Sequence, residues 1–375
     1  MKVGDRIVTR IEKLVVGGAG LTRTPYGVVF VDLVLPQEEV EVEVTEVKKD
    51  YSRGKVVTIR EPSPRRIEAP CPYFGECGGC DWQHITYEDQ AEIKQRLLRE
   101  LFVKNFSYSN LWPIVASPRP YHYRNRVQMS WGPLGTCYRK KRSHELLPVK
   151  RCLIANEAVN THLESLAQQP NPPQAVRVQV AKAGVENGTG VFSFSQVNEG
   201  VNDRLLQAVL SWASDLELTD FLDLYCGAGN FSFPLAERFS LVSGLGVELD
   251  PHLARRAQSQ VYERKWRHRL AFHCGAVDDF LCRIPTSEGS LILLDPPRSG
   301  CGERISHQLG QIRARSIIYV SCAPMTLLRD LKIILSGDRW KIRRVQGFDM
   351  FPQTAHLEVA VQLIDRTWSR ANLGS

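Results

Sequence analysis

The sequence predicts an α/β protein in which a doubly wound domain follows a small β-barrel and a central α+β segment. Before residue 60, short runs alternate valine or isoleucine with polar residues, and from residue 194 onward apolar strands alternate with helical stretches. Between them lies a loop rich in cysteine, proline and glycine. We therefore place domains at residues 1–60, 61–193 and 194–375, a division that suits a chain of 375 residues.

The first two segments contain local signals for strands, a linker and a helix. Residues 27–31 and 39–44 alternate apolar and polar side chains between glycine or proline turns, which predicts strands of the barrel. Residues 61–66 contain two prolines and predict a linker. In the central segment, Thr86 is expected to cap a helix that ends at Phe102.

In the third segment, polar residues follow apolar strands. Tyr225 and Gly227 follow the strand at 220–224 in a Gly-x-Gly sequence, and Glu248 comes about 20 residues later after a second strand. Asp295 begins an Asp-Pro-Pro sequence after a third strand. Glycines allow a ligand to approach the backbone, and the later acid can bind ribose hydroxyls. The pattern predicts a nucleoside-cofactor site, although Gly-x-Gly also opens dinucleotide folds and Asp-Pro-Pro also forms plain turns.

A thiol and a carboxylate follow near the carboxyl terminus. Cys322 ends an apolar strand, and Glu358 comes about 35 residues later. C5 of uracil is a poor carbon nucleophile until a thiolate adds to C6, and a base must then remove the C5 proton after methylation. We hypothesise that Cys322 is this nucleophile and Glu358 this base. The alternative is a buried strand-end cysteine and a solvated carboxylate.

Taken together, five segments resemble the successive signatures of the RNA uridine C5-methyltransferases, and the likeness covers nearly the whole chain. The segments are residues 194–198, 223–231, 295–298, 321–330 and 349–358. The resemblance implies a Rossmann-like class I methyltransferase domain that uses S-adenosylmethionine, preceded by an OB-like, RNA-binding barrel of the TRAM type. It gives Cys322 and Glu358 the roles stated above. The residues that it places at the donor or target base are Gln196, Tyr225, Gly227, Asn230, Glu248 and Asp295.

Two positions depart from the family pattern. Ala323 stands where relatives usually have asparagine after the nucleophile, which removes a polar contact near the target base. Gly275 stands where relatives tend to place an amide or acid against the adenine, and Asp278 or Asp279 would be the substitute.

The ten cysteines predict a metal site. The chain has no leader and no apolar run of about 18 residues, so we expect a cytoplasmic protein without disulfides. Cys71, Cys77 and Cys80 share a tight loop, and Cys152 is the candidate fourth ligand. Thiolate chemistry alone leaves zinc and iron–sulfur open. The cluster-bearing branch of the family implies a central iron-sulfur domain with a [4Fe-4S] cluster. The remaining cysteines are interpreted as packing residues: Cys137, Cys226, Cys274, Cys282 and Cys301.

Charge and aromatic residues favour an RNA partner. The net charge of +7 is moderate, and cations are interleaved with aromatics at residues 121–126 and 138–142. Such runs are also common on ordinary solvated faces. With the resemblance, we expect a monomer away from membranes that modifies a uridine in a loop of structured RNA, ribosomal RNA being favoured over transfer RNA.

Three other functions compete with this interpretation. An exocyclic-amine methyltransferase also uses Asp-Pro-Pro, but normally follows it with an aromatic residue where this chain has Arg298. A non-catalytic RNA-binding or redox-sensing protein leaves the donor-site residues unexplained. A radical enzyme with the same donor needs an open iron position, which Cys152 would close.

Overall fold

The computed structural model describes residues 1–132, 135–168, 175–181, 184–188, 196–240 and 242–368. These residues form two compact units. The first comprises described positions within 1–98, 117–190 and 351–356, and the second those within 99–116, 191–350 and 357–375. The predicted boundary between residues 193 and 194 lies outside the described residues, as do Phe194 and Ser195 of the first family signature.

The amino-terminal part of the first unit is a six-stranded sheet. Its strands are β1 (Arg6–Arg10), β2 (Lys13–Leu14), β3 (Gly20–Thr24), β4 (Gly27–Val31), β5 (Glu39–Val47) and β6 (Tyr51–Glu61), in the order β1-β5-β6-β4-β3-β2. In β5, Val40, Val42 and Val44 are buried while the residues between them are partly exposed. The strands predicted at 27–31 and 39–44 are confirmed, because alternating valines build one apolar face.

The predicted linker at residues 61–66 is attached to this sheet. Glu38 is fully buried and accepts hydrogen bonds from the backbone N–H groups of Leu35 (2.8 Å) and Ser63 (3.1 Å). The guanidinium of Arg66 donates to both oxygens of the same carboxylate, at 2.5 and 2.8 Å. These bonds lower the pKa of Glu38 against the opposing effect of burial. The segment that contains the two prolines is therefore attached to the sheet by an ion pair within the first unit.

Helix α1 (Tyr87–Phe106) begins where the sequence predicts. Thr86 Oγ1 accepts a hydrogen bond from the Asp89 backbone N–H at 3.2 Å, which confirms Thr86 as the cap. The helix continues four residues beyond the predicted end at Phe102.

The central segment forms a five-stranded antiparallel sheet with one helix, α2 (Glu157–Ala167). Its strands are β7 (Arg126–Gly132), β8 (Gly135–Arg139), β9 (Leu146–Pro148), β10 (Ala175–Ala181) and β11 (Gly184–Gly188), in the order β11-β10-β7-β8-β9. Val127 and Val178 of the sheet share a core with Val159 and Leu163 of α2, and Cys152 packs against this core.

A short segment near the carboxyl terminus, residues 351–356, also belongs to the first unit. The side chains of Gln353 and Gln90 bond each other at 2.9 Å, and Gln90 Oε1 accepts from the Gln353 backbone N–H at 2.9 Å. The Gln353 carbonyl accepts from the backbone N–H groups of Asp81 (2.9 Å) and Trp82 (3.1 Å). These hydrogen bonds attach the segment to the residues that directly follow the cysteine loop. Glu358 comes only two residues after the segment ends.

The second unit contains a seven-stranded sheet. Its strands are β12 (Asp220–Leu224), β13 (Ser243–Glu248), β14 (Leu270–Cys274), β15 (Ser290–Leu294), β16 (Ser316–Ser321), β17 (Trp340–Phe348) and β18 (Glu358–Asp365), in the order β14-β13-β12-β15-β16-β18-β17. Its helices are α3 (Glu199–Ser214), α4 (Ser232–Arg238), α5 (Pro251–Glu263), α6 (Val277–Leu281), α7 (Glu303–Gln311) and α8 (Pro324–Ile334). Strands β12 to β16 pair in parallel, whereas β18 is antiparallel to β16 and β17.

This topology places the candidate site. Every residue of β15, β16 and β18 is buried, as expected for strands covered on both faces. The strand order reverses between β12 and β15, and a doubly wound sheet opens its ligand crevice at the carboxyl ends of the strands at such a point. The predicted α/β, doubly wound architecture is confirmed. Among the helices of the described residues, none has both the length and the apolar character needed to span a membrane.

Candidate active site and cysteine loop

The register of two strands brings Cys322 and Glu358 together. In the antiparallel pair β16 and β18, Ser321 lies opposite Val359. Cys322 directly follows β16, and Glu358 is the first residue of β18, so the two side chains meet at one edge of the sheet. Cys322 is half-buried, whereas Glu358 is only 2% exposed. The sequence alone could not show that the last strands reverse direction and create this meeting.

Burial raises the pKa of both groups. It raises the pKa of Glu358 well above its usual range, Asp295 adds to the effect, and the Arg298 guanidinium opposes it. Within the described residues, Glu358 Oε1 has no hydrogen-bond partner. Burial and the neighbouring Glu358 raise the pKa of the Cys322 thiol, while Arg298 lowers it. Arg298 is therefore the cation that favours a thiolate at this edge.

Asp295 lies in the same group of charges. It directly follows β15, the strand next to β16, and burial raises its pKa. The Gln196 side-chain amide donates to Asp295 Oδ2 at 3.4 Å. Two residues predicted from separate motifs thus contact each other.

The loop that is predicted to bind the methyl donor follows β12. Tyr225, Gly227 and Gly229 have positive φ values of 61°, 57° and 89°. A Cβ on Gly229 would lie 2.6 Å from the Phe233 ring, so a larger residue does not fit there. Glu248, at the end of β13, accepts from the Gly227 backbone N–H through Oε2 and from the Asp250 backbone N–H through Oε1, both at 2.8 Å.

Asn230 has a partner that the sequence did not indicate. Its side-chain amide donates to Asn202 Oδ1 at 3.1 Å, and the Asn202 amide donates back to Asn230 Oδ1 at 3.2 Å. Asn202 lies on α3, four residues after the signature at 194–198 but outside it. The reciprocal pair fixes the loop after β12 to this helix.

A second unexpected network attaches the segment 298–301, which follows β15, to α8. Asp330 of α8 is fully buried, and its Oδ2 accepts from the Cys301 backbone N–H and the Tyr319 hydroxyl, both at 2.7 Å. Thr326 Oγ1 donates to the Arg298 carbonyl at 3.1 Å. We call this network the Asp330 clamp. The signal for it was present, because Thr326 and Asp330 both belong to the signature at 321–330.

The two departures from the family pattern have local explanations. The Ala323 backbone N–H donates to Ser321 Oγ at 3.1 Å and begins α8 without a side-chain cap. A Cβ on Gly275 would lie 3.2 Å from the His273 ring, which stacks on Phe280 at 3.9 Å. Asp278 forms an ion pair with Arg304 at 2.9 Å.

The cysteine loop belongs to the first unit. Cys71, Cys77, Cys80 and Cys152 are all partly exposed. The Gly78 backbone N–H donates to the Arg139 carbonyl at 3.0 Å, which attaches the loop to the end of β8. Asn160 accepts from the Cys152 backbone N–H and donates to its carbonyl, both at 3.1 Å.

The four thiols influence one another. Burial raises the pKa of Cys80 to about 12, and Cys152, Cys77 and Cys71 add to the increase. Burial also raises the pKa values of Cys71 and Cys77, again with a contribution from Cys152. In the part of the chain that the structure describes, no three His, Cys, Asp or Glu side chains are arranged to hold one metal ion. The predicted cluster stays a prediction.

The basic run at residues 138–142 is engaged with acids. Lys140 pairs with Glu145 at 3.0 Å, Lys141 with Asp81 at 2.9 Å, and Arg142 with Asp32 at 2.8 Å. These ion pairs join the run to the amino-terminal sheet and to the residue after Cys80. The run therefore forms ion pairs within the first unit.

Comparisons with known proteins agree with this geometry. A model of the tRNA (uracil-5-)-methyltransferase family matches residues 177–263 and 282–366, and a TRAM-domain model matches residues 2–57. An uncharacterized RNA methyltransferase of Bdellovibrio bacteriovorus is 37% identical over 96% of this chain and 95% of its own length. A 23S rRNA (uracil(1939)-C(5))-methyltransferase of Vibrio vulnificus is 30% identical over 93% of this chain and 94% of its own.

A solved structure shares the fold. The tRNA (uracil-54, C5)-methyltransferase of Pyrococcus abyssi, in complex with S-adenosyl-L-homocysteine, gives a TM-score of 0.73 at 20% identity. The match covers 96% of this chain and all (100%) of that one. The predicted fold class, with TRAM strands before a Rossmann-like catalytic domain, is confirmed.

Proposed function

Since this chain belongs to the RNA uracil C5-methyltransferase family and is an S-adenosylmethionine-dependent enzyme, we propose that Cys322 and Glu358 carry out its chemistry. The observation that carries this proposal is the register of β16 and β18. It puts a thiol and an unbonded carboxyl oxygen side by side at the edge where ligands bind.

The residues after β12 and β13 suit the nucleoside part of the donor. The Gly227 backbone N–H donates to Glu248, and each Glu248 oxygen has one backbone donor and a further acceptor site for a ribose hydroxyl. Gln196, Tyr225, Asn230 and Asp295 complete the set that we propose for donor and target base. S-adenosylmethionine supplies the electrophilic methyl group when it is bound.

The reaction begins at sulfur. Cys322 loses its proton, for which Asp295 is the nearby acceptor, and Arg298 stabilises the thiolate. The thiolate adds to C6 of the uracil, so that the ring electrons move to O4 and make C5 nucleophilic. After C5 has taken the methyl group, the Glu358 carboxylate removes the C5 proton. The electrons then return, the C6–S bond breaks, and Cys322 leaves.

We place the target uridine in a loop of 23S ribosomal RNA. A base in a loop can leave its stack at low cost, and both C5 and C6 must be reached from the faces of the ring. The full-length similarity to a 23S rRNA enzyme and the TRAM strands support this choice. The enzyme would then act in the cytoplasm, as a monomer. A tRNA uridine is the alternative, and methyl transfer to 23S rRNA and tRNA transcripts, measured side by side, distinguishes them.

We propose that Cys71, Cys77, Cys80 and Cys152 hold a [4Fe-4S] cluster. Burial raises the pKa values of Cys71, Cys77 and Cys80, and Cys152 adds to each increase, which fits a cationic metal centre because coordination neutralises thiolates. Zinc satisfies the same ligands. Metal analysis and a visible absorption spectrum of anaerobically purified protein separate the two: iron with sulfide supports the proposal, and colourless zinc protein contradicts it.

Trapping with 5-fluorouridine RNA tests the catalytic assignment. Fluorine at C5 cannot leave as a cation, so the methylated adduct cannot eliminate the enzyme. We expect a stable protein–RNA adduct whose mass maps to Cys322, and the same adduct in the control Cys282→Ala, which changes an exposed cysteine. An adduct at another residue, or methyl transfer without an adduct, contradicts the proposal.

A further inference from the structure

The most strongly cationic exposed segment of the second unit lies at the end of α5 and before β14. Between residues 264 and 269 there are four arginines and lysines and no acid. We call the cations of this segment the α5–β14 patch: Arg264, Lys265, Arg267 and Arg269. All of these except Arg269 are exposed, and Arg269 is partly exposed.

The charge of this patch is not neutralised from within. Across the residues that the structure describes, none of the four cations forms an ion pair with an acid. The cations of the amino-terminal sheet behave differently. Arg6 pairs with Glu41, Arg10 with Glu61 and Lys55 with Glu43. A cation without an internal acid keeps its full attraction for an external anion.

Aromatic rings order the guanidinium groups of the patch. The Arg267 guanidinium lies 3.7 Å from the centre of the Tyr262 ring, and Arg269 lies 4.0 Å from the Trp266 ring. Arg264 approaches the same Trp266 at 5.0 Å. A guanidinium stacked on a ring keeps its N–H groups directed outward in the ring plane, so less side-chain entropy is lost when an anion binds.

The patch lies away from the reacting atoms. In a parallel sheet, a helix returns the chain to the amino ends of the strands, so the residues between α5 and β14 lie at the edge opposite to Cys322 and Glu358. A strand of five residues, such as β14, spans about 17 Å. A ligand that reaches both the patch and the catalytic edge must therefore extend beyond a single looped-out nucleotide.

We propose that the α5–β14 patch binds the phosphate backbone of the substrate RNA outside the target loop. This inference rests on the proposed RNA substrate and adds a second contact region to it. Phosphate is favoured because the guanidinium edges present paired N–H donors, and the substrate is already a polyanion. The contact orients the RNA without reading its sequence.

The test compares two full-length double variants, each of which loses two positive charges. Arg264→Gln with Arg267→Gln removes two patch cations. Arg283→Gln with Arg313→Gln removes two exposed arginines elsewhere in the second unit. Each protein is titrated with a minimal target hairpin and with an RNA that carries flanking duplex, over a range of salt concentrations. Methyl transfer to both RNAs is measured in parallel.

We expect the patch variant to bind the long RNA with a salt slope reduced by about 1.5, at roughly 0.8 per lost phosphate contact. Its KM for the long RNA rises, while kcat and the binding of the hairpin match those of the control. An unchanged salt slope for the long RNA, with normal methyl transfer, overturns the inference and leaves the proposed function intact. If the enzyme methylates neither RNA, but the patch substitutions still weaken RNA binding, the proposed function is contradicted instead.

Discussion

The two units of this protein both bury cysteine thiols, but they surround them with different charges. Around Cys80, the groups that raise the pKa after burial are other thiols, Cys152 first among them. Around Cys322 they are carboxyl groups, and Arg298 opposes them. Thiols that repel one another are stabilised by a permanent cation such as a metal. A thiol between an arginine and a carboxyl group can instead ionise briefly and recover its proton. This difference supports the proposal that Cys80 is a ligand and Cys322 a nucleophile.

The largest expected effect concerns Cys322. The Cys322→Ala variant should lose methyl transfer by at least about 10⁴-fold, because it removes the group that we propose to add to C6. Transfer of labelled methyl groups to RNA measures this loss, and Cys282→Ala should retain the normal rate. Full turnover by Cys322→Ala would favour an exocyclic-amine methyltransferase, which needs no thiol.

Glu358→Gln should separate the first half of the reaction from the second. The sulfur can still add and the methyl group can still transfer, but the C5 proton stays, and turnover falls by roughly 10² to 10⁴-fold. A covalent protein–RNA band should accumulate on denaturing gels with ordinary uridine RNA. Release of methylated RNA at the normal rate would remove Glu358 from the mechanism.

Cys80→Ser tests the proposal that the thiols of the first unit hold a metal. We expect loss of bound metal and of visible absorbance, and a melting temperature lower by roughly 5 °C, since metal binding contributes to folding. Cys282→Ser is the control. The folded fraction of the variant should still form the Cys322 adduct with 5-fluorouridine RNA. Unaltered metal content in Cys80→Ser would remove this residue from the ligand set.

The pH dependence of kcat/KM should reflect the raised pKa values. Both the Cys322 thiol and the Glu358 carboxyl must be deprotonated to react, and burial raises both pKa values. The rate therefore falls as the pH decreases, starting well above the ordinary carboxyl pKa of about 4.3. Single-turnover rates between about pH 5.5 and 9 measure the profile. A flat profile over this range would contradict the described burial.

The smallest expected effect lies in the Asp330 clamp. Tyr319→Phe removes one of the donors to Asp330 Oδ2 and leaves the Cys301 backbone N–H in place. Unfolding free energy should fall by about 1 kcal/mol, with kcat reduced less than about threefold. Denaturant titration and steady-state kinetics test this. A much larger loss of kcat would give the hydroxyl a direct role at Arg298.

Local patterns were enough to predict most of this architecture. Alternating valines gave the strands at 27–31 and 39–44, and the apolar runs before Tyr225, Asp295 and Cys322 gave the buried strands of the catalytic sheet. The register that pairs Ser321 with Val359 depends on a chain reversal that no local pattern encodes. Asn202 and the partners of residues 140–142 were also missed, because hydrogen bonds and ion pairs between distant residues follow from packing.

The path of the chain before Glu358 has a consequence for dissecting the protein. Gln353 is anchored to Gln90 and to the backbone after Cys80, and Glu358 opens β18 five residues later. A fragment cut at the predicted 193/194 boundary would carry residues 351–356 without Gln90 and Asp81. Chimeric proteins that join the catalytic unit to another RNA-binding domain should therefore keep residues 81–90 with it, since the two units are interleaved in sequence and not joined end to end.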